Sequence, residues 1–490
     1  MKHKKIKIIA LSLACLMLTQ SISVAANYTK ELKDNYENVS TGCEADIVFD
    51  TTTGEILYEK NIHEKLYPAS TTKLLTGLLA VLYGDLDDTV TFCEDAVTLE
   101  YGASTLDIKE GEKLTVKNCL YGLMLKSANE IANQLGYYVE EKSGKNFKEA
   151  ANDKLTEIGC FESTFTNASG LHKDNHYTTV YDMALIANAA YKNDAFKEIF
   201  TTRKYTIPAT NKAESRTVYN THKMMSEGGD YYLPTVVGGK TGFTDQAKNC
   251  LVTFSEDEDS NLNLIAAVFK GDGTEVTCGD TYRLLKYFNK NYSTKSILKK
   301  GDIIATVPLI NKKGTQIATV DLTLSEDLVL TLPNNWNNKN EELIEDDEDS
   351  EDEDNEDDED DEDDEDDEDD DEEEIIEDEP ELSDEEKAKL ELENNLKILN
   401  YESDLFKIET DIPTELTNSV VKDGVVGSIK ITNNCDKVKV ISIVATEDKQ
   451  VTESYDLTLV YIFLGIIFAI VLTVFIIKFR KLDEEEKEIK

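Results

Sequence analysis

The chain has no CxxC pair, no basic tract interleaved with aromatic residues, and not one basic residue between Glu341 and Glu379. Each absence removes a class of protein. Without paired spacing, the eight cysteines do not read as a zinc module. Setting aside Cys15 near the N-terminus leaves Cys43, Cys93, Cys119, Cys160, Cys250, Cys278 and Cys435, an odd number. No disulfide is assigned to them, and they read as small buried apolar side chains. No metal site and no cofactor are expected. Without a basic surface signature, nucleic acid is excluded as a partner. The net charge of −48 is concentrated: 33 acidic residues lie between Glu341 and Glu379, and the rest of the chain carries −15.

The 490 residues suffice for two or three domains and a large core. Two apolar segments frame them. Residues 1–26 carry Lys2, Lys4, Lys5 and Lys7, an apolar run from Ile8 to Leu18, and Val24-Ala25-Ala26 ahead of Asn27, the pattern of a cleaved secretory signal peptide. Near the other end, Leu457 to Ile477 holds 21 residues without a charge and is followed by Lys478, Arg480 and Lys481. A helix of that length covers about 30 Å, the thickness of a bilayer core, and the basic cluster marks the cytoplasmic side. The segment is predicted as a single transmembrane helix with a cytoplasmic tail, 478–490, which makes everything before it extracytoplasmic.

Ala45 to Phe49, the turn Asp50-Thr51-Thr52-Thr53-Gly54 and Glu55 to Tyr58 predict a β-hairpin. Pro68 to Ala80, PASTTKLLTGLLA, predicts the start of a buried helix. Residues three apart share a helix face, so Ser70 and Lys73 can touch while Leu74, Leu75, Leu78 and Leu79 face apolar surroundings. A serine at a helix start also lies beside unpaired backbone N–H groups, which suit an oxyanion. Taken alone, such a string reads as an ordinary helix turn.

Leu120 to Glu130 places Ser127 and Asn129 two residues apart where a helix gives way to a loop. Serine donates and accepts, and the asparagine amide can hold a peptide group by both ends. The plainer reading of Ser127 is a cap for the next helix. Val236 to Thr244 reads as an edge strand with Lys240, Thr241 and Gly242 on it; a cation beside a hydroxyl suits a terminal carboxylate, and glycine lets a backbone approach.

In combination the three become specific. Ser70-Thr71-Thr72-Lys73, Ser127-Ala128-Asn129 and Lys240-Thr241-Gly242 follow, in order, the signature of penicillin-binding proteins and class A β-lactamases. The text around them, including GEILYEKN, LYPASTTKLLTG, IKEGEKLTVKNCLYGLMLKSANEIA, FTNASGLHKDNHYTTVYDMALIA and VGGKTGFTDQAKNCLV, resembles the low-molecular-mass penicillin-binding proteins, the serine-type D-alanyl-D-alanine carboxypeptidases of the peptidase S11-like family. The resemblance spans Ala45 to Phe288.

It implies an α+β, β-lactamase/transpeptidase-like catalytic domain over 27–290, with an antiparallel sheet flanked by helices. It further implies Ser70 as nucleophile, Lys73 as base and Ser127 as proton relay to the leaving group. Asn129 would orient the peptide, and Lys240 and Thr241 would hold the terminal carboxylate beside Gly242. The N–H groups of Ser70 and Phe243 would form the oxyanion hole. The partners implied are a peptidoglycan pentapeptide and β-lactam antibiotics. One departure stands out: Gly271 to Gly279, just before a helix predicted near Asp280, has no basic residue. A β-lactamase needs a glutamate followed two residues on by leucine and asparagine; Glu162 and Asn167 do not fit that pattern. A non-catalytic wall-binding module is the other alternative.

Past the catalytic domain, Ile303 to Ile310, Gln316 to Leu324 and Leu328 to Leu332 predict strands, and Val425 to Ile431 and Val438 to Val444 resume them. VVKDGVVGSIKI and KVISIVATE resemble the second half of the family's β-sandwich, so a small all-β domain is expected over 295–333 and 401–452. The acidic tract, 341–379, is then an insertion inside it, expected to be disordered, with no partner assigned. A helix over 383–399 follows from the Ser383/Glu386 capping box and the face of Ala388, Leu392, Leu396 and Leu399.

Overall fold

The structure, a computed structural model, describes residues 39–334, 336, 392, 395–400, 406–434 and 438–450. The leader 1–26, the acidic tract 341–379, most of 383–399 including its capping box, and 457–477 lie outside the described residues. Among the described residues no helix is long and apolar enough to cross a membrane.

In chain order the elements are β1 (Ala45–Asp50), β2 (Ile56–Lys60), a 3-10 turn (Ala69–Thr72) leading into α1 (Lys73–Tyr83), β3 (Thr89–Thr91), α2 (Glu94–Val97), β4 (Lys113–Thr115), α3 (Val116–Leu125), α4 (Asn129–Ser143) and α5 (Phe147–Glu157). Next come α6 (Val180–Tyr191), α7 (Asp194–Phe200), β5 (Lys204–Ile207), β6 (Arg216–Tyr219), β7 (Val236–Thr244), β8 (Lys248–Asp257), β9 (Leu262–Gly271) and α8 (Thr274–Asn291). The chain continues through β10 (Tyr292–Leu298), β11 (Ala305–Ile310), β12 (Gln316–Leu324), β13 (Leu328–Pro333), β14 (Phe406–Asp411), β15 (Val425–Asn433) and β16 (Val438–Ala445).

The chain divides into two compact units. The first comprises Met1–Lys300, Glu326–Thr410 and Ile429–Ile441; the second comprises Gly301–Ser325, Asp411–Ser428 and Ser442–Lys490. In the first, an antiparallel five-stranded sheet runs in the order β2-β1-β9-β8-β7, with the predicted hairpin at one edge and β7 at the other. Side chains alternate across a strand, so Ala45, Ile47 and Phe49 of β1 and Ile265, Ala267 and Phe269 of β9 share one buried face with the main helical core. The alternate residues of β9 face the other way, and α8 packs on β8 and β9. Covered on both faces, β1 is buried at every position.

Helix α1 lies inside the helical layer, against α3, α4 and α6. A run that is apolar nearly all round belongs at the centre of a bundle, and Lys73 through Ala80 are all buried. Gly77 makes the tightest crossing: a Cβ there would stand 2.3 Å from Phe196 Cζ.

Two expectations are corrected in detail. Residues 69–72 form a 3-10 turn before α1, because Ala69 sits at φ +46°, outside the α-helical region. The helix placed near Asp280 begins at Thr274 instead. Thr274, Val276 and Thr277 are β-branched and poor helix formers, and packing on β8 and β9 overrides that preference. The stretch ahead of this helix is therefore Lys270 to Gly273, and the basic residue found there, Lys270, is paired with Glu44 at 2.7 Å.

In the second unit, β11 and β12 form an antiparallel hairpin, and the end of β12 pairs with β16, Leu322 opposite Ala445. β13 belongs to the first unit, where it pairs with β10 in a two-stranded sheet.

Candidate active site

The three motifs are brought together at the N-terminal end of α1, beside the edge strand β7. Ser70 lies in the 3-10 turn, and one turn later Lys73, fully buried, sends Nζ to Ser70 Oγ at 2.8 Å. The same Nζ reaches Asn129 Oδ1 at 2.7 Å and the carbonyl oxygen of Ser169 at 2.6 Å. This arrangement has a chemical consequence. A neutral amine has two N–H groups and one lone pair; Asn129 and Ser169 accept both N–H groups, so the lone pair points at the Ser70 hydroxyl.

Burial holds Lys73 well below the ordinary lysine pKa, the nearby Lys240 pushes it the same way, and Glu130 opposes both. The neutral form that a base requires is thereby favoured.

Two glycines grip the nucleophile's turn. A Cβ on Gly242 would lie 3.1 Å from Ser70 N and 3.0 Å from Pro68 O. A Cβ on Gly170, at φ +81°, would collide with Ala69 O at 1.8 Å. Only bare backbone fits on either side, which is the physical need for glycine in the Lys240-Thr241-Gly242 string. The close passage of β7 sets its backbone beside the Ser70 amide. Phe243, next along, has an exposed side chain.

Lys240 is buried on β7 and donates to its neighbour's carbonyl, Thr241 O, at 2.8 Å. Burial brings its pKa down to about 7. The Thr241 hydroxyl stands 3.4 Å from the Thr221 hydroxyl. Ser127 joins α3 to α4 with a left-handed backbone, φ +61°, and its buried Oγ has no hydrogen-bond partner among the described residues. The capping reading of Ser127 is overturned: the residue preceding α4 is Ala128, and no side chain caps that helix.

Sequence reasoning missed four supports. The Ser169 carbonyl carries no side-chain signature. His176 accepts from the Thr166 amide at Nδ1 (3.0 Å), so Nε2 bears the proton and donates to Thr72 Oγ1 (2.9 Å), bracing the turn. Burial lowers its pKa to about 4, with Lys173 and His172 adding to the effect. His222, buried by β7, meets Thr253 Oγ1 at 2.9 Å and is likewise lowered to about 4, by burial and by Lys240. Glu130 follows Asn129 in the first turn of α4. The phrase FTNASGLHKDNHYTT had pointed to the segment holding Ser169 and His176 without singling out either residue.

Away from this site, Cys43, Asp46 and Asp280 bring ligand-type atoms within 4.8 Å of one another. Their charges are already answered. Asp280 Oδ2 accepts the Gly42 and Cys43 amides, each at 2.8 Å, its Oδ1 pairs with Arg283, and Lys60 stands 3.8 Å from Asp46. Five further thiols, Cys93, Cys119, Cys160, Cys250 and Cys278, are free, and only Cys93 among them is exposed.

Comparison with known proteins fits this geometry. Residues 33–273 match the family model described as D-alanyl-D-alanine carboxypeptidase, Peptidase S11. The D-alanyl-D-alanine carboxypeptidase DacF of Bacillus subtilis is 30% identical over 285 residues, covering 57% of this chain and 70% of that protein. The chain belongs to the D-alanyl-D-alanine carboxypeptidase family. A second family member, the D-alanyl-D-alanine carboxypeptidase of Streptomyces sp. K15, is 30% identical over 222 residues, 41% of this chain and 72% of that one. The fold extends beyond sequence likeness. The carboxypeptidase DacD of Francisella tularensis superposes with a TM-score of 0.55 at 18% identity, covering 84% of this chain and 95% of that one. Penicillin-binding protein 5 of Haemophilus influenzae gives 0.55 at 19% identity, with 84% and 98% covered. The mixed α/β architecture is thus that of the penicillin-binding proteins.

Proposed function

We propose that this chain is a serine-type D-alanyl-D-alanine carboxypeptidase that removes the terminal D-alanine from peptidoglycan pentapeptides, and that β-lactams acylate the same serine. The observation that carries the reading is the buried Lys73, bonded to Ser70 Oγ while its remaining partners are neutral acceptors. Ser70 Oγ attacks the carbonyl between the last two D-alanines as Lys73 takes its proton. The negative oxygen formed is met by the Ser70 and Phe243 amides. Ser127 passes a proton to the departing amine, free D-alanine leaves, and water releases the shortened peptide from the acyl-enzyme. Asn129 both holds Lys73 and orients the peptide. Lys240, with Thr241, takes the terminal carboxylate, which favours an exopeptidase.

The organisation proposed around this chemistry is a secreted catalytic domain over 27–290, a C-terminal β domain carrying the acidic insertion, and a membrane anchor at 457–477 with the active site facing the wall. The family membership and the strands β11, β12 and β16 support the first two parts; composition alone supports the anchor.

Labelled penicillin tests the core of this reading. The expected result is a covalent adduct on Ser70 that Ser70→Ala abolishes, with D-alanine released from a pentapeptide. Absence of the adduct, or its survival in Ser70→Ala, overturns it.

A further inference from the structure

We propose that Glu130 is a positioning residue for this reaction: its carboxylate fastens the 104–108 loop to the start of α4 and sets the pH range over which Lys73 accepts the proton of Ser70. The inference rests on the reading of Lys73 as the base.

The clamp is plain in the geometry. Glu130 is 1% exposed. Its Oε1 accepts from Thr105 Oγ1 at 2.7 Å, from the Leu106 amide at 2.7 Å and from the Ile108 amide at 3.4 Å. Thr105 Oγ1 takes the Asp107 amide in turn, at 2.8 Å. Two further bonds stitch the same loop: the Asn129 amide to Ser104 O at 2.8 Å, and Ser104 Oγ to Lys126 O at 2.9 Å. The loop thus fixes residues 126–130, and through Asn129 Oδ1 it fixes Lys73 Nζ.

A clamp of this kind uses one oxygen. The other, Oε2, is buried and has no hydrogen-bond partner among the described residues. An apolar or amide side chain would avoid that cost, so an unanswered carboxylate oxygen beside a catalytic amine points to a role for the charge itself. Charge acts over several ångströms in a site drained of water.

The groups facing Lys73 can be named element by element. β7 offers Lys240, which disfavours a second positive charge; α4 offers Glu130, which favours one. The 69–72 turn offers only Ser70, and the 167–176 segment offers the Ser169 carbonyl, with the His176 ring spent on Thr72. Glu130 is therefore the negative counterweight that keeps Lys73 a strong base where burial and Lys240 would leave a weak one.

Glu130→Gln keeps the size and the accepting oxygen and removes the charge. The rate of Ser70 acylation by a fluorescent penicillin, measured against pH on the full chain, is expected to show an acid limb moved to lower pH. The ratio of variant to wild-type rate should climb by about threefold or more down that limb, at tenfold per unit moved. Glu130→Ala, which also cuts the clamp, is expected to show the same movement with a lower plateau at every pH. Coincident acid limbs for wild type and Glu130→Gln overturn the proposal. A titration of lysine side chains enriched in carbon-13 at Cε, with Lys73 assigned through Lys73→Arg, reads the same equilibrium without turnover. A Lys73 titration unmoved by Glu130→Gln also overturns it. A moved titration without any penicillin adduct on wild-type Ser70 strikes the functional reading and leaves the role of Glu130 standing.

Discussion

Two buried charged sites in the first unit are built on opposite rules. At Glu112 the carboxylate is fully buried and answered on every side: Arg216 reaches both oxygens at 2.6 and 3.1 Å, Thr210 adds a bond at 2.8 Å, and the Lys109 amide another at 3.1 Å. Burial pushes the Glu112 carboxyl up, and Arg216, the Lys109 amide and Thr210 together bring it below its usual range. At Lys73 and Lys240, two cations are buried with only neutral oxygens in contact, and no carboxylate stands within ion-pair distance of either among the described residues. The first arrangement ties β4 to the β5–β6 hairpin and keeps its charges fixed. The second leaves charge uncompensated, which shifts pKa values toward neutrality. A satisfied buried pair maintains the fold; an unsatisfied one provides chemistry.

The contrast can be broken at either site. Lys73→Arg keeps the positive charge but denies the site a neutral amine. Penicillin acylation of Ser70 should fall by about 10³ to 10⁴, the share of a positioned base, with the melting temperature little changed. Arg216→Met leaves Glu112 as a buried unpaired charge. Denaturant unfolding should show a loss of about 3 to 5 kcal/mol, while the folded fraction keeps the wild-type pH profile of acylation.

Acid should act on stability through His176. Its folded pKa of about 4 is depressed below the ordinary 6.5, so the unfolded chain binds more protons between those values. Stability contributed by the neutral ring is complete above about 6.5 and is lost as pH falls toward 4, a change of about 3 kcal/mol. Unfolding of His176→Gln measured over the same range should show a shallower decline.

The smallest effect expected lies at Lys240. The free enzyme should lose its carboxylate-binding cation as pH rises through about 7, so kcat/KM for a D-alanine-ended peptide should fall about tenfold per unit above that point. A flat profile to pH 9 would remove Lys240 from that role.

Much of this was readable along the chain because the features are local. The hairpin Ala45–Lys60 is announced by its turn, and α1 by an apolar run too continuous for a surface helix. Ser70 and Lys73 are separated by one helical turn, so their contact follows from periodicity. The supports that escaped notice are tertiary. The Ser169 carbonyl belongs to a backbone that any residue would supply, and its value comes from lying 96 residues away in sequence yet 2.6 Å away in space. Glu130 looked like an ordinary acidic residue in a helix's first turn, since nothing local reveals that one of its oxygens is sealed from water. The start of α8 was misplaced for the converse reason: β-branched residues argued locally against a helix that sheet packing imposes.

The sequence by itself determined which groups can react here: a serine and a lysine one turn apart, a serine and an asparagine at a helix junction, and a lysine with a hydroxyl and a glycine on an edge strand. Only the tertiary structure decided their ionisation. Desolvation and the field of a neighbouring charge depend on what surrounds a group, and Lys73 gives up its proton readily because α4, β7 and the 167–170 backbone close around it.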